Sequence, residues 1–227
     1  MGKKILWGIL ITLALLLIIW FLGPHARYEP VDTLPISLDW AIDDLDSIIY
    51  AKETQVAHLK DDNEARIIWA DSSHSQTPYS IVYIHGFSAS QGEGDPIHRG
   101  LAESLGANLY LARLKDHGLD YDDAFINLTP ADLIDDAKEE IAIGRIIGEK
   151  VILASCSTGG TLSIALAPND PSIHSLVLMS PNIRIKDPNV SMVTGPWGRQ
   201  LIKTILGEYR LVEEHQKKTI LVRELPH

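Results

Sequence analysis

Ser157 is the residue in this chain best placed for covalent chemistry. It sits at the centre of Ser155-Cys156-Ser157-Thr158-Gly159, after the apolar run Val151-Ile152-Leu153-Ala154 and before Thr161-Leu162-Ser163-Ile164-Ala165-Leu166-Ala167. That order reads as a strand, a sharp turn and a helix, with a serine at the apex. A serine hydroxyl is a weak nucleophile until the backbone lifts it clear of its neighbours, next to a base and to free amide N–H groups. Small residues two before and two after the apex let such a turn form, and Ser155 and Gly159 hold those places. Gly160 is then expected to let the helix pack close to the strand. The pentapeptide departs from G-x-S-x-G in having Ser155 for the first glycine. The same residues would also suit a buried strand with a polar turn, so other segments must decide. Cys156 lies in the same turn, but the residue before the apex points away from the pocket, and a small buried cysteine serves packing.

A second segment, Tyr79 to Ser90, supplies the complement. Ser80 to Ile84 reads as a buried strand, broken by His85-Gly86-Phe87. In a nucleophile elbow one oxyanion donor is the N–H after the nucleophile, here Thr158. The other comes from the loop after an earlier strand, and the N–H of Phe87 is the candidate. Two such donors aimed at a developing alkoxide lower a barrier by a few kcal/mol. His85 precedes the nucleophile and reads as a brace for the loop rather than a base.

Three motifs in order carry a resemblance: His85-Gly86-Phe87, then Leu111-Ala112-Arg113-Leu114-Lys115-Asp116-His117-Gly118, then Ser155-Cys156-Ser157-Thr158-Gly159. Over residues 64–182 the chain resembles the α/β-hydrolase superfamily, most of all its monoglyceride-lipase-like and serine-aminopeptidase-like branch of esterases and lipases. The resemblance implies a Ser–acid–His triad, no cofactor and an acyl-enzyme intermediate. By position Ser157 matches the nucleophile, and Thr158 and Phe87 match the oxyanion donors.

The acid and histidine are harder to place. In this fold they follow the serine in the order Ser…Asp/Glu…His. The acids after Ser157 are Asp170, Asp187, Glu208, Glu213, Glu214 and Glu224, and the histidines are His174, His215 and His227. His174 precedes a strand on the wrong rim, and His215 lies in a charged stretch. Glu224 would end a strand over Lys218 to Arg223, but His227 is then too close in sequence to sit on a neighbouring strand. Two further strands with their helices need more chain than follows Pro181, which points to a C-terminally truncated hydrolase or an incomplete triad.

Composition narrows the partners. The chain has 227 residues, 45% of them hydrophobic and 22% charged, with a formal charge of −10 and one cysteine. An acidic domain argues against a nucleic-acid partner and against broad adhesion to anionic lipid. The single Cys156 rules out an internal disulfide. The histidines are scattered without H-x-x-x-H spacing, so no metal is expected.

The N-terminus carries Lys3-Lys4, an uncharged run from Ile5 to Leu22, and Gly23-Pro24. About 18 residues at ~1.5 Å each reach about 27 Å, near the thickness of a bilayer core. Trp7 and Trp20 lie near its ends, where interfacial aromatics sit. Lysines before the run and none until Lys52 predict a cytoplasmic N-terminus, with the rest on the outer, periplasmic or extracellular, side. A cleaved signal peptide is the alternative, though no clean A-x-A site follows.

The elements that must position Ser157 follow from pattern. Asp39 to Thr54 reads as an amphipathic helix, Ala65 to Ala70 as a short strand, and Asp71 to Pro78 as a polar loop. Ile97 to Leu105 reads as a helix ending at Gly106, and Asn108 to Leu114 as a strand. Thr129-Pro130-Ala131-Asp132 starts a helix that runs to about Gly148. Ser175 to Met179 is another buried strand, and Trp197 to Leu211 has apolar residues at helical spacing. Strands alternating with helices imply a mostly parallel α/β sheet covered on both faces. Its carboxyl rim should carry His85, His117, Ser157 and Ser180. The expected organisation is a cytoplasmic tip (1–4), a transmembrane anchor (5–23), a linker (24–37), an α/β-hydrolase core (38–181) and a cap-like segment with a truncated end (182–227). The function expected is a membrane-anchored serine hydrolase acting on small-molecule esters or lipids. A non-catalytic binding protein of the same fold, and a peptidase of the same superfamily, are the alternatives.

Overall fold

Apolar residues on both faces of β2 (Thr77–Ile84) place that strand at the centre of a sheet. Ile81, Val82, Tyr83 and Ile84 are all fully buried, the signature of a parallel strand covered on both sides. The computed structural model describes residues 2–24, 30–184, 195–198, 200–201, 204, 209–213 and 219–223. Around β2 stand β1 (Arg66–Ile68), β3 (Asn108–Leu111), β4 (Gly148–Cys156) and β5 (Ile173–Met179), in the order β1-β3-β2-β4-β5. β1 runs antiparallel to β3, and the other pairs are parallel. The carboxyl ends of β2, β3, β4 and β5 therefore share one rim, as the sequence implied.

Helices cover both faces. α2 (Leu45–Glu53), α4 (Pro130–Ile147) and α5 (Ser157–Leu166) lie on one side; α3 (Ile97–Leu105) lies on the other. Period-two alternation divides the core. Val82, Ile84, Tyr110, Val151 and Leu153 face the three-helix side, with Leu45, Ile141 and Leu162. Ile81, Tyr83, Leu109, Leu111 and Ile152 face the α3 side, with Ala102. The helix ends match their expected chemistry. Thr129 Oγ1 accepts from the Asp132 N–H while the Asp132 side chain accepts from the Thr129 N–H, a complete capping box. α3 ends at Gly106 in the left-handed region, φ 57°.

Several boundaries differ from expectation. β3 stops at Leu111, not Leu114. Ala112 N–H still donates to Tyr83 O, but Leu114 N–H then turns to His85 Nε2, which takes the chain out of the ladder. Tyr209 to Leu211 are not helical: they open β6 (Tyr209–Glu213), which pairs antiparallel with β7 (Thr219–Arg223). That cross-strand pairing satisfies backbone groups that the helical spacing alone would not assign. β7 is the strand expected over Lys218 to Arg223, but it belongs to a separate two-stranded sheet and does not extend the central one.

α1 (Gly2–Phe21) is a single apolar helix with no residue in the core. Lys4–Phe21 is long and apolar enough to cross a membrane. Within its uncharged run the Thr12 hydroxyl is satisfied by the helix itself, since Thr12 Oγ1 donates to Gly8 O at 3.0 Å.

Candidate active site

Ser157 opens α5 directly after β4, with φ +46°. A non-glycine residue in that region costs about 1–2 kcal/mol and persists only where its surroundings hold it. Those constraints are visible. β4 pairs with β2 and β5 up to the turn, with Ser155 opposite both Ile84 and Leu178. Asn182 N–H donates to Ser157 O at 3.1 Å, and Thr161 Oγ1 donates to Asn182 O at 2.9 Å. The loop after β5 is thus tied to the first turn of α5.

Ser155 is fully buried, yet satisfied. Its Oγ lies 2.8 Å from Ser163 Oγ, which donates to Gly159 O at 2.9 Å. This chain of hydroxyls lets a serine occupy the place usually given to glycine. The two glycines divide their work differently from the sequence reading. A Cβ on Gly159 would collide with the carbonyl oxygens of Ile84 and His85, so Gly159 is the residue that brings α5 against β2. A Cβ on Gly160 would meet Pro181 at 2.8 Å, so Gly160 makes room for the loop after β5 instead.

The loop after β2 reaches the elbow at Gly86. A Cβ there would sit 3.2 Å from Ser157 Cβ, and 3.1 and 3.2 Å from the two carboxylate oxygens of Glu93. Phe87 follows on this loop, and Thr158 follows Ser157. Among the described residues neither the Phe87 N–H nor the Thr158 N–H has a hydrogen-bond acceptor. Ser157 itself is half-buried rather than enclosed.

The loop is braced from below by two histidines. His85 is fully buried; its Nδ1–H donates to Gly86 O at 2.8 Å and its Nε2 accepts from Leu114 N–H at 3.2 Å. His117 is fully buried too, and its Nδ1–H donates to Lys115 O at 2.7 Å. The rings of His85 and His117 lie 4.9 Å apart, and Phe87 packs edge-on to His117 and against Phe125. Burial pushes both imidazoles down to about 4, so they stay neutral. His85 is scaffold, as its place before the nucleophile suggested.

Other candidate residues are used elsewhere or lie outside the described residues. Asp170 holds Arg145 at 2.5 Å and accepts from Ser172 N–H at 3.0 Å, closing the turn before β5. His174 sits near the start of β5, its ring tilted against that of Tyr79, away from the rim. Asp187, Glu208, Glu214, His215, Glu224 and His227 lie outside the described residues, as do Ile202, Ile205 and Leu206. Ser157 Oγ has no side-chain partner among the described residues. The Cys156 thiol is held above its usual range by burial and then by the Glu93 carboxylate, which keeps it protonated and a poor rival nucleophile.

Glu93 and Phe125 were not anticipated. Glu93 lies in a 3-10 turn, Gln91–Gly94, and its Oε2 accepts from Gly86 N–H at 2.7 Å and from the Tyr83 hydroxyl at 3.3 Å. An acid between two glycines, seven residues beyond Gly86, was the available signal. A cavity of about 360 Å³ opens beside the loop, lined by Lys60, Ser88, Ser90, Glu93, Tyr121 and Phe125.

A mostly parallel sheet in which the strand beside the central one ends in a serine elbow, flanked by the loop that follows the central strand, defines an α/β-hydrolase-type fold. No family model and no curated protein matches the chain. Among solved structures it is similar to one from work on LipS and LipT, two metagenome-derived lipolytic enzymes. The identity is 16% and the TM-score 0.49, over 60% of this chain and 52% of that one. It is also similar to vibralactone cyclase, at 14% identity and a TM-score of 0.37, over 73% of this chain and 58% of that one. The matched region thus spans 52% and 58% of those two proteins.

Proposed function

We propose that this chain is a serine hydrolase of carboxylic esters that reacts through an acyl-enzyme on Ser157. The observation that carries the reading is the elbow: a serine at φ +46° between β4 and α5, facing a loop whose Phe87 amide, like that of Thr158, has no acceptor among the described residues. Ser157 Oγ attacks the acyl carbon, and the carbonyl oxygen takes the electron pair between the Phe87 and Thr158 N–H groups. The hydroxyl proton passes to a base and then to the departing alcohol. Water next attacks the acyl-enzyme and releases the acid. His85 does not serve as that base, because it is buried and both ring nitrogens are engaged, Nδ1–H by Gly86 O and Nε2 by Leu114 N–H.

The monoglyceride-lipase-like and serine-aminopeptidase-like branch remains our reading of the three motifs, with esters of lipids or small acids as substrates. A panel of p-nitrophenyl and glyceryl esters of rising chain length, run beside aminoacyl amides, tests this. Ester turnover that disappears in Ser157→Ala supports the reading; turnover of the amides alone assigns a peptidase. One observation favours a second reading, a non-catalytic binding protein of the same fold: no histidine hydrogen-bonds to Ser157 Oγ among the described residues. Folded protein that turns over nothing in the panel supports it.

We read α1 as a membrane anchor with its N-terminus in the cytoplasm and the hydrolase domain outside. The lysines before it, the tryptophans near its ends and its exposed apolar surface support this. Protease added to intact cells should digest the domain and leave α1 with the membrane. A domain protected until the membrane is broken contradicts the orientation.

A further inference from the structure

We propose that Glu93 is the positioning residue of the oxyanion loop; this rests on the reading of Ser157 as nucleophile. Its carboxylate fastens the loop to β2. Oε2 accepts from Gly86 N–H at 2.7 Å, in the loop, and from the Tyr83 hydroxyl at 3.3 Å, on β2. Burial, and after it the Glu93 charge, hold the Cys156 thiol, at the end of β4 and one residue before the nucleophile, above its usual range. One side chain thus ties the loop back to the strand it leaves.

The bond to Gly86 decides which amide is left for the substrate. Gly86 is free of side-chain restraint, so without a fixed acceptor its peptide could turn either way. Glu93 takes the Gly86 N–H with a charge-assisted bond, the stronger kind. The next N–H, that of Phe87, is left unpaired among the described residues. Preorganisation of this sort is what an oxyanion hole needs, because a donor that must rotate into place loses its advantage. Gly86 is also the spacer: both carboxylate oxygens and Ser157 Cβ press on the same point, all within 3.2 Å of where a Cβ would be. Glu93 touches neither the attacking oxygen nor, on this account, the acyl group. Its role is to set the loop.

Gln and Ala at this position separate a hydrogen-bond role from a charge role. Glu93→Gln keeps an acceptor for Gly86 N–H and removes the charge; Glu93→Ala removes both. In the full chain in detergent, the rate of Ser157 modification by a fluorophosphonate should fall about tenfold or more in Glu93→Ala, the weight of one charge-assisted bond. It should stay within about threefold of wild type in Glu93→Gln. Hydrogen exchange of the peptide containing Gly86 and Phe87 should quicken in Glu93→Ala and return toward wild type in Glu93→Gln. Labelling of Glu93→Ala at the wild-type rate overturns the proposal. So does Glu93→Gln falling as far as Glu93→Ala, which would make the carboxylate a base or a charge effect. If the wild type itself is not labelled, the nucleophile reading fails instead. The exchange data then still decide the clamp: unchanged exchange at Gly86 in Glu93→Ala rejects it.

Discussion

Gly159 presses against the carbonyl of Ile84, so that the helix beginning at Ser157 is seated directly on the strand that ends in the His85-Gly86-Phe87 loop. Nucleophile and oxyanion loop are therefore set by one backbone-to-backbone contact. Gly159→Ala would push a methyl group into the Ile84 and His85 carbonyls, and backbone cannot yield as a flexible side chain does. The expected result is a loss of about 1–3 kcal/mol in urea unfolding, the usual penalty of overpacking, with slower modification of Ser157. Unfolding unchanged from wild type would mean that α5 is not so seated.

The capping box of α4 offers a control away from the rim. Thr129→Ala removes the acceptor for Asp132 N–H. It should lower stability by about 1 kcal/mol and leave the reactivity of Ser157 unchanged. Denaturant titration and labelling of the same sample measure both.

His85 and His117 make the domain sensitive to acid. Folded, both rings stay neutral down to about pH 4, against an ordinary value of 6.5. Between those values the unfolded chain binds more protons than the folded one, so stability rises with pH. It is fully present above pH 6.5 and lost as pH falls toward 4, by about 3 kcal/mol for each ring. Urea unfolding at pH 7 and pH 4.5 should show the loss, and His117→Gln should flatten the slope.

Glu140 has the opposite sign. It lies in a cavity of about 240 Å³ between α2, β3 and α4, shared with Lys52, Glu53, Arg113 and Asp136. It is buried, its Oε2 has no partner, and burial pushes its carboxyl up to about 8. The folded state therefore keeps a proton that the unfolded chain releases near 4.5. Stability is present below that value and falls as pH rises through 8. Glu140→Gln should raise the melting temperature at pH 8.5 and change it little at pH 5. No gain at pH 8.5 would contradict a protonated Glu140.

Much of the core was legible because its signals are local. The run Ser80 to Ile84 is apolar on both faces, Thr129-Pro130 announces a helix start, and Ser157 lies where a strand gives way to a helix. Long-range contacts were less legible. The end of β3 depends on Leu114 turning to His85, which no periodicity records. Tyr209 to Leu211 read as helix until their partners in β7 are seen. Glu93 was missed because its importance comes from its bonds to Gly86 and Tyr83 in space. The exchange of roles between Gly159 and Gly160 likewise depends on which backbone each one meets.

The most direct measurement is to treat the folded chain with a fluorophosphonate, digest it and locate the adduct by mass spectrometry. The account predicts one adduct, on the hydroxyl of Ser157, absent from Ser157→Ala while that variant melts as wild type does. An adduct on another residue, or none on protein shown to be folded, would contradict it.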